Sequence, residues 1–231
     1  MINEIMPIKN SRIAEILLCD KLCIDKLPNP RIVPLFGPNG IGKSSIINAI
    51  LDNLNGKKEI EIKRTKTPMI VLSYRNGVDN LRVKESHSID EEFSPEFIVS
   101  KYNSRSVSEG QSIIYSALML FEAMGTGKNA IYEENKEYLI LIDEIDSGLS
   151  LDNLDIIMRK LKNTADKRKD VQVIFSFNNP YVLNYFPNVL SMYTGNPIKI
   201  RNADEMITTI NSHSKEFRKL RYKSDNMPRT F

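Results

Sequence analysis

The sequence predicts an α/β fold, a mostly parallel sheet flanked on both faces by helices. Two observations carry this expectation. Apolar runs of strand length alternate with segments whose apolar residues recur at helical spacing, as where Ile32–Phe36 is followed by Ile46, Ile47, Ala49, Ile50 and Leu51. Several runs, notably Met69–Tyr74 and Tyr138–Ile142, are apolar almost without a break. Strands buried on both faces have that pattern, and parallel sheets are buried on both faces. At 231 residues, 41% hydrophobic and 26% charged, the chain suits one domain (1–231) with a sizeable core.

Composition removes several classes. A net charge of +3 gives no argument for nucleic acid by itself. No run approaches the ~18 apolar residues of a membrane span, so no membrane partner is expected. The start, Met1 to Met6, has neither the basic nor the apolar region of a secretory signal. Cys19 and Cys23 lie four apart in an apolar stretch, far from His87 and His213. That spacing reads as two buried thiols in a reduced, cytoplasmic setting rather than as a zinc site, and both histidines read as surface residues.

In order, residues 8–26 alternate loosely and are expected to form one or two strands, an N-terminal antiparallel β portion before the main sheet. Leu27-Pro28-Asn29-Pro30 turns the chain into the Ile32–Phe36 strand, and the helix that follows stops at Asn55-Gly56. Glu59–Lys63 alternates as an edge strand, and Met69–Tyr74 reads as a buried one. Residues 76–92 hold no period and read as a surface excursion, with a helix start at Pro95–Tyr102. Gln111–Met124 is a helix with Ile114, Ala117, Leu118 and Phe121 as its apolar stripe. Residues 76–125 thus form a small inserted helical subdomain. After a charged loop at 133–137 come the Tyr138–Ile142 strand, a helix carrying Leu154, Ile157, Met158 and Leu161, and a strand at Val171–Phe177. A short helix at Pro180–Tyr185, a strand at Val189–Tyr193 and a helix over about 203–222 burying Met206, Ile210, Phe217 and Leu220 complete the chain.

Between the first buried strand and its helix stands Gly37-Pro38-Asn39-Gly40-Ile41-Gly42-Lys43-Ser44-Ser45, which fits G-x-x-x-x-G-K-[ST], the phosphate loop or Walker A pattern. Its glycines let backbone N–H groups wrap a phosphate, and the new helix offers unpaired N–H groups and the positive end of its dipole. Lys43 is placed to reach the β- and γ-phosphates of ATP, and the Ser44 hydroxyl to ligate Mg²⁺. Downstream, Leu139–Ile142 runs into Asp143-Glu144. Carboxylates at the C-terminal end of a buried parallel strand lie where such sheets bind ligands. Asp143 is the expected Mg²⁺ ligand, and Glu144 the group that polarises the attacking water.

Just before the strong helix stands Val107-Ser108-Glu109-Gly110-Gln111. Here the sequence resembles the ABC-type ATPases, whose signature reads approximately Leu-Ser-Gly-Gly-Gln: Ser108, Gly110 and Gln111 match, while Val107 and Glu109 depart. The order Walker A, signature, Walker B, with Ser147-Gly148-Leu149 following as a D-loop look-alike, strengthens the resemblance, which covers about residues 8–200. Ser108 and Gln111 also have the spacing of a helix capping box, a role that coexists with the functional one. The resemblance implies an ATP-dependent, head-to-tail homodimer in which Ser108 and Gly110 of one subunit close over the γ-phosphate bound by the other.

Only 63 residues separate Ser44 from Ser108, too few for a coiled-coil arm, and no glutamine occurs between Ser44 and Gln111. A transporter-type Q-loop is therefore missing, which speaks against the remaining alternative, the ATPase subunit of an ABC transporter. Together with Asp143–Leu149 and Phe177-Asn178-Asn179-Pro180, this looks more like the heads of SMC-, RecF- and OLD-like ATPases. In that resemblance Asn178 takes the place of the switch histidine. An amide can donate to a phosphate oxygen but cannot carry charge or relay a proton. Slow hydrolysis, hydrolysis helped by a partner residue, and a nucleotide switch with little turnover all fit that change. The retained Glu144 favours slow hydrolysis. Adenine contact falls to Arg12 or to backbone. By analogy, such a head works with an effector protein, a nuclease or toxin, in DNA repair or mobile-element defence. The basic and aromatic residues of Lys215–Lys223 suit either a nucleic-acid surface or the solvated face of an amphipathic helix.

Overall fold

A computed structural model describes residues 1–75, 82–84 and 135–225. Two sheets and four helices organise the described residues. The smaller sheet joins β1 (Ile2–Pro7), β2 (Leu22–Cys23) and β4 (Ile60–Arg64) antiparallel, in the order β2-β1-β4. The N-terminal antiparallel portion is therefore present, with a different internal arrangement from the one expected for 8–26. That stretch holds a short helix, α1 (Arg12–Ile16), then β2 and a 3₁₀ turn at Ile24–Lys26. Ser11 caps α1 by accepting a hydrogen bond from the Ala14 N–H at 3.2 Å, and Ile13 and Leu17, one turn apart, are buried together. The main strand of this sheet is the earlier stretch β1. A β-bulge between Ile2 and Glu4 changes its phase, so Ile2 and Ile5 are both buried although three residues apart.

The larger sheet has seven strands in the order β10-β9-β3-β8-β7-β5-β6. Five run parallel: β9 (Asn188–Ser191), β3 (Ile32–Phe36), β8 (Val171–Ser176), β7 (Glu137–Asp143) and β5 (Met69–Arg75). The outer strands, β10 (Pro197–Lys199) and β6 (Arg82–Lys84), are antiparallel to their neighbours. β6 thus places a strand within the expected surface excursion. The rest of the expected 76–125 subdomain, including the Gln111–Met124 helix, lies outside the described residues.

The apolar runs are continuous because each strand feeds two cores. Tyr138, Ile140 and Ile142 of β7 face α3 (Leu151–Lys167), whose Leu154, Ile157, Met158 and Leu161 are fully buried. Leu139 and Leu141 face the other way, toward Ile46, Ile47 and Ile50 of α2 (Lys43–Leu54) and Ile2, Ile5 and Leu22 of the small sheet. The last helix, α4 (Ala203–Asp225), adds Met206 to the first core with Ile210 packed beside it; the side chains of Phe217 and Leu220 lie outside the described residues. Gln172 is one of the polar side chains buried among the described residues. Wholly buried on β8, it accepts from the Ile2 N–H at 2.7 Å and donates to Ile2 O at 2.9 Å and Pro30 O at 2.7 Å, tying β1 to the central sheet.

Candidate active site

β3, β8 and β7 are adjacent and parallel, so the segments that follow them emerge at one end of the sheet. The phosphate-loop residues follow β3. Gly42 adopts a φ of 103°, a left-handed geometry that glycine enters without penalty, and a Cβ there would lie 2.5 Å from Ile16 Cγ2. Position 42 therefore needs glycine twice over, for its backbone and for the close approach of α1. Gly37 and Ile41 are buried and anchor the loop, while Asn39 and Gly40 form its exposed tip. Lys43, Ser44 and Ser45 open α2. Lys43 is buried, and its ammonium donates to Gly37 O at 2.6 Å, Pro38 O at 3.3 Å and Asn178 Oδ1 at 3.0 Å. Burial pushes the Lys43 pKa below its usual value, against the opposing pull of the Asp146, Glu144 and Asp143 carboxylates.

Asp143, at the end of β7, is the hub of the carboxylate side. Its Oδ1 accepts from the Ser44 hydroxyl at 3.0 Å and from the Ser176 hydroxyl at 2.6 Å. The Ser176 oxygen in turn accepts the Glu144 N–H at 2.7 Å. Glu144 holds a left-handed φ of 52°, rare for a residue with a side chain. Ser176 was not anticipated; a serine closing an apolar run resembles any strand end. Its place follows from the β7–β8 register, in which Ile142 pairs with Phe175 and so sets Asp143 beside Ser176. Asp146 was not anticipated either. It is buried, and its Oδ2 accepts the backbone N–H groups of Asn178, at 2.7 Å, and of Asn179.

The site thus holds two bonded pairs, Lys43 with Asn178 and Ser44 with Asp143, on neighbouring residues of α2, and Glu144 is joined to Asp143 through Ser176. The chain turns over 144–149 through two successive bonds, Ser147 N–H to Glu144 O at 3.0 Å and Leu149 N–H to Asp146 O at 3.5 Å, after which Ser150 caps α3. Ser108, Gly110 and Gln111 lie outside the described residues, as does His87. Arg12 is exposed on α1. His213 is half-buried rather than at the surface, stacked on Tyr193 with ring centroids 4.6 Å apart. Cys23 is buried and Cys19 half-buried, with burial pushing the Cys19 thiol up to about 11. A separate groove lined by Leu27, Ile32, Lys162 and Phe186 lies at the opposite end of β3 and includes none of the site residues.

The donor set fits Mg²⁺. The Ser44 hydroxyl and the Asp143 carboxylate are hard oxygen donors side by side. Mg²⁺ takes one or two carboxylates and completes its shell with phosphate oxygens and water. Among the described residues no group of three or more His, Cys, Asp or Glu could hold a metal.

The strand order and the strand–loop–helix junction at Gly37–Lys43 make this an α/β protein of the P-loop architecture. No family model matches the sequence, and no curated protein does. Solved structures with a similar course include an ABC transporter in an inward-facing conformation, with 20% identity over 86% of this chain and 82% of that one and a TM-score of 0.47. A second is the ATP-binding cassette MJ0796, a dimer in a post-hydrolysis state bound to ADP and Pi, with 14% identity over 88% of this chain and 100% of that one and a TM-score of 0.44. A third is a nucleotide-free ATP-binding cassette from an ABC transporter, with 14% identity over 91% and 93% of the two chains and a TM-score of 0.42. No helix among the described residues is long and apolar enough to cross a membrane.

Proposed function

We propose that this chain is an ABC-type ATPase head of the SMC/RecF/OLD-like kind, which binds ATP and hydrolyses it slowly. The observation that supports this reading is the convergence of Lys43, Ser44, Asp143, Glu144 and Asn178 at the C-terminal ends of three neighbouring parallel strands. Lys43, held among carbonyl oxygens, exchanges those partners for phosphate oxygens. Ser44 and Asp143 would hold Mg²⁺, which supplies neutralisation of charge building on the phosphate oxygens. Glu144 orients the attacking water, its place fixed by the bond from its N–H to Ser176. Asn178 offers its amide to the γ-phosphate. Ser108 and Gly110 of a second copy close the site, giving a head-to-tail homodimer whose closure acts on an effector protein or nucleic acid. A second reading, a nucleotide-gated module that binds without turnover, draws on the neutral Asn178 amide beside Lys43.

Phosphate release and light scattering test the proposal. Wild-type protein is expected to release phosphate from ATP, with Glu144→Gln slower by about 10²-fold or more and still able to bind ATP. With ATP, Glu144→Gln is expected to become a dimer, whereas Ser108→Arg stays monomeric. ATP binding without any wild-type turnover selects the gated module. A dimer in both variants overturns the signature assignment, and ATP binding that survives Lys43→Ala unchanged overturns the site.

A further inference from the structure

The segment after β8 is held by a carboxylate for which the chemistry above has no use. Asp146 lies in the turn that follows β7 and is only 8% exposed. Its Oδ2 accepts two successive N–H groups, those of Asn178 and Asn179. Its Oδ1 is buried and takes no hydrogen bond among the described residues. A buried carboxylate is costly unless donors and a nearby cation compensate it. Here the compensation comes from the switch segment and from Lys43, on which Asp146 exerts the strongest upward electrostatic pull.

The two N–H bonds pin the backbone at 178 and 179, and with it the point from which the Asn178 side chain starts. The segment is gripped on either side as well. Ile145 N–H donates to Ser176 O at 3.1 Å, and the Asn179 side chain accepts from Tyr181 N–H at 2.9 Å at the head of the 3₁₀ turn Pro180–Asn184. Asn178 Oδ1 accepts from Lys43 at 3.0 Å. An ammonium only donates, so the amide oxygen faces Lys43 and the NH₂ end is the one turned to another acceptor.

Building on the ATPase reading above, we propose that Asp146 is a positioning residue for phosphoryl transfer. It holds the 178–179 backbone so that the Asn178 amide and the Lys43 ammonium meet the γ-phosphate together, without touching the nucleotide itself.

Steady-state phosphate release from Asp146→Ala, Asp146→Asn, Asn178→Ala and the Asp146→Ala/Asn178→Ala double variant tests this, with melting temperatures measured for each. Asp146→Ala is expected to lower kcat about 10- to 100-fold, as small misplacements do, with KM within about 3-fold. Asp146→Asn should restore kcat to within about 5-fold, since an amide oxygen still accepts two N–H groups. The double variant should be no slower than Asn178→Ala alone, within about 2-fold, because the two residues act in series. If Asp146→Ala does not fold, Asp146→Glu keeps the charge and displaces the oxygens. It should lower kcat while retaining binding of a fluorescent ATP analogue. Wild-type kcat in the Ala or Glu variant, or losses that multiply in the double variant, overturn the proposal while leaving the ATPase reading intact. A wild-type protein that releases no phosphate overturns both.

Discussion

Glu144 combines a left-handed backbone with a side chain, a conformation that costs an L-residue roughly 1–2 kcal/mol. Its N–H bond to Ser176 and the neighbouring bond from Ile145 N–H to Ser176 O hold it there. Replacing it should therefore separate stability from function. Glu144→Gly is expected to be about 1 kcal/mol more stable than Glu144→Ala, melting a few degrees higher, with both variants deprived of turnover. Equal melting temperatures would show that the conformation carries no strain. At this scale the sequence made Lys43, Ser44, Asp143 and Glu144 legible because each sits in a short, locally spaced pattern. Ser176 and Asp146 were hidden for the opposite reason. A serine at a strand end and an aspartate in a turn look like solvated polar residues until a long-range strand register brings them to Asp143 and Asn178.

Among the elements, α2 and α3 were plain from their stripes, and Leu154, Ile157, Met158 and Leu161 are all fully buried as that spacing requires. β1 and α1 were not. The bulge in β1 breaks the period of two, and a five-residue helix is too short for periodicity to distinguish from loose alternation. Gln172 helps fix β1 against the main sheet, its single side chain satisfying Ile2 N–H, Ile2 O and Pro30 O in a wholly buried position. Gln172→Leu fits the volume but strands those groups. It is expected to destabilise the protein by at least about 2 kcal/mol, read by denaturant unfolding. A loss below about 0.5 kcal/mol, the range of ordinary surface substitutions, would mean that water replaces the amide.

Over the whole molecule, the small sheet and the large one share a core and meet again at Gly195. With a φ of 68°, a Cβ there would lie 1.7 Å from the backbone oxygen of Lys21, and Gly195 O accepts the Cys23 N–H at 2.7 Å. Gly195→Ala should cost more than about 1 kcal/mol and raise amide exchange in β2 ahead of β7. Uniform acceleration across both would show that the sheets open as one unit. The parallel α/β class was legible from doubly buried runs, but the order of strands was not, because nothing local records which strand inserts where. That order has a consequence for synthesis. β8 separates β3 from β7 although it is made after both, so the two flanking strands are synthesised before the strand that joins them. Until residues 171–176 leave the ribosome, Lys43 and Asp143 have no frame to bring them within reach of each other. A chain stalled short of that point should show no affinity for nucleotide, and one released just beyond Asn179 should begin to acquire it.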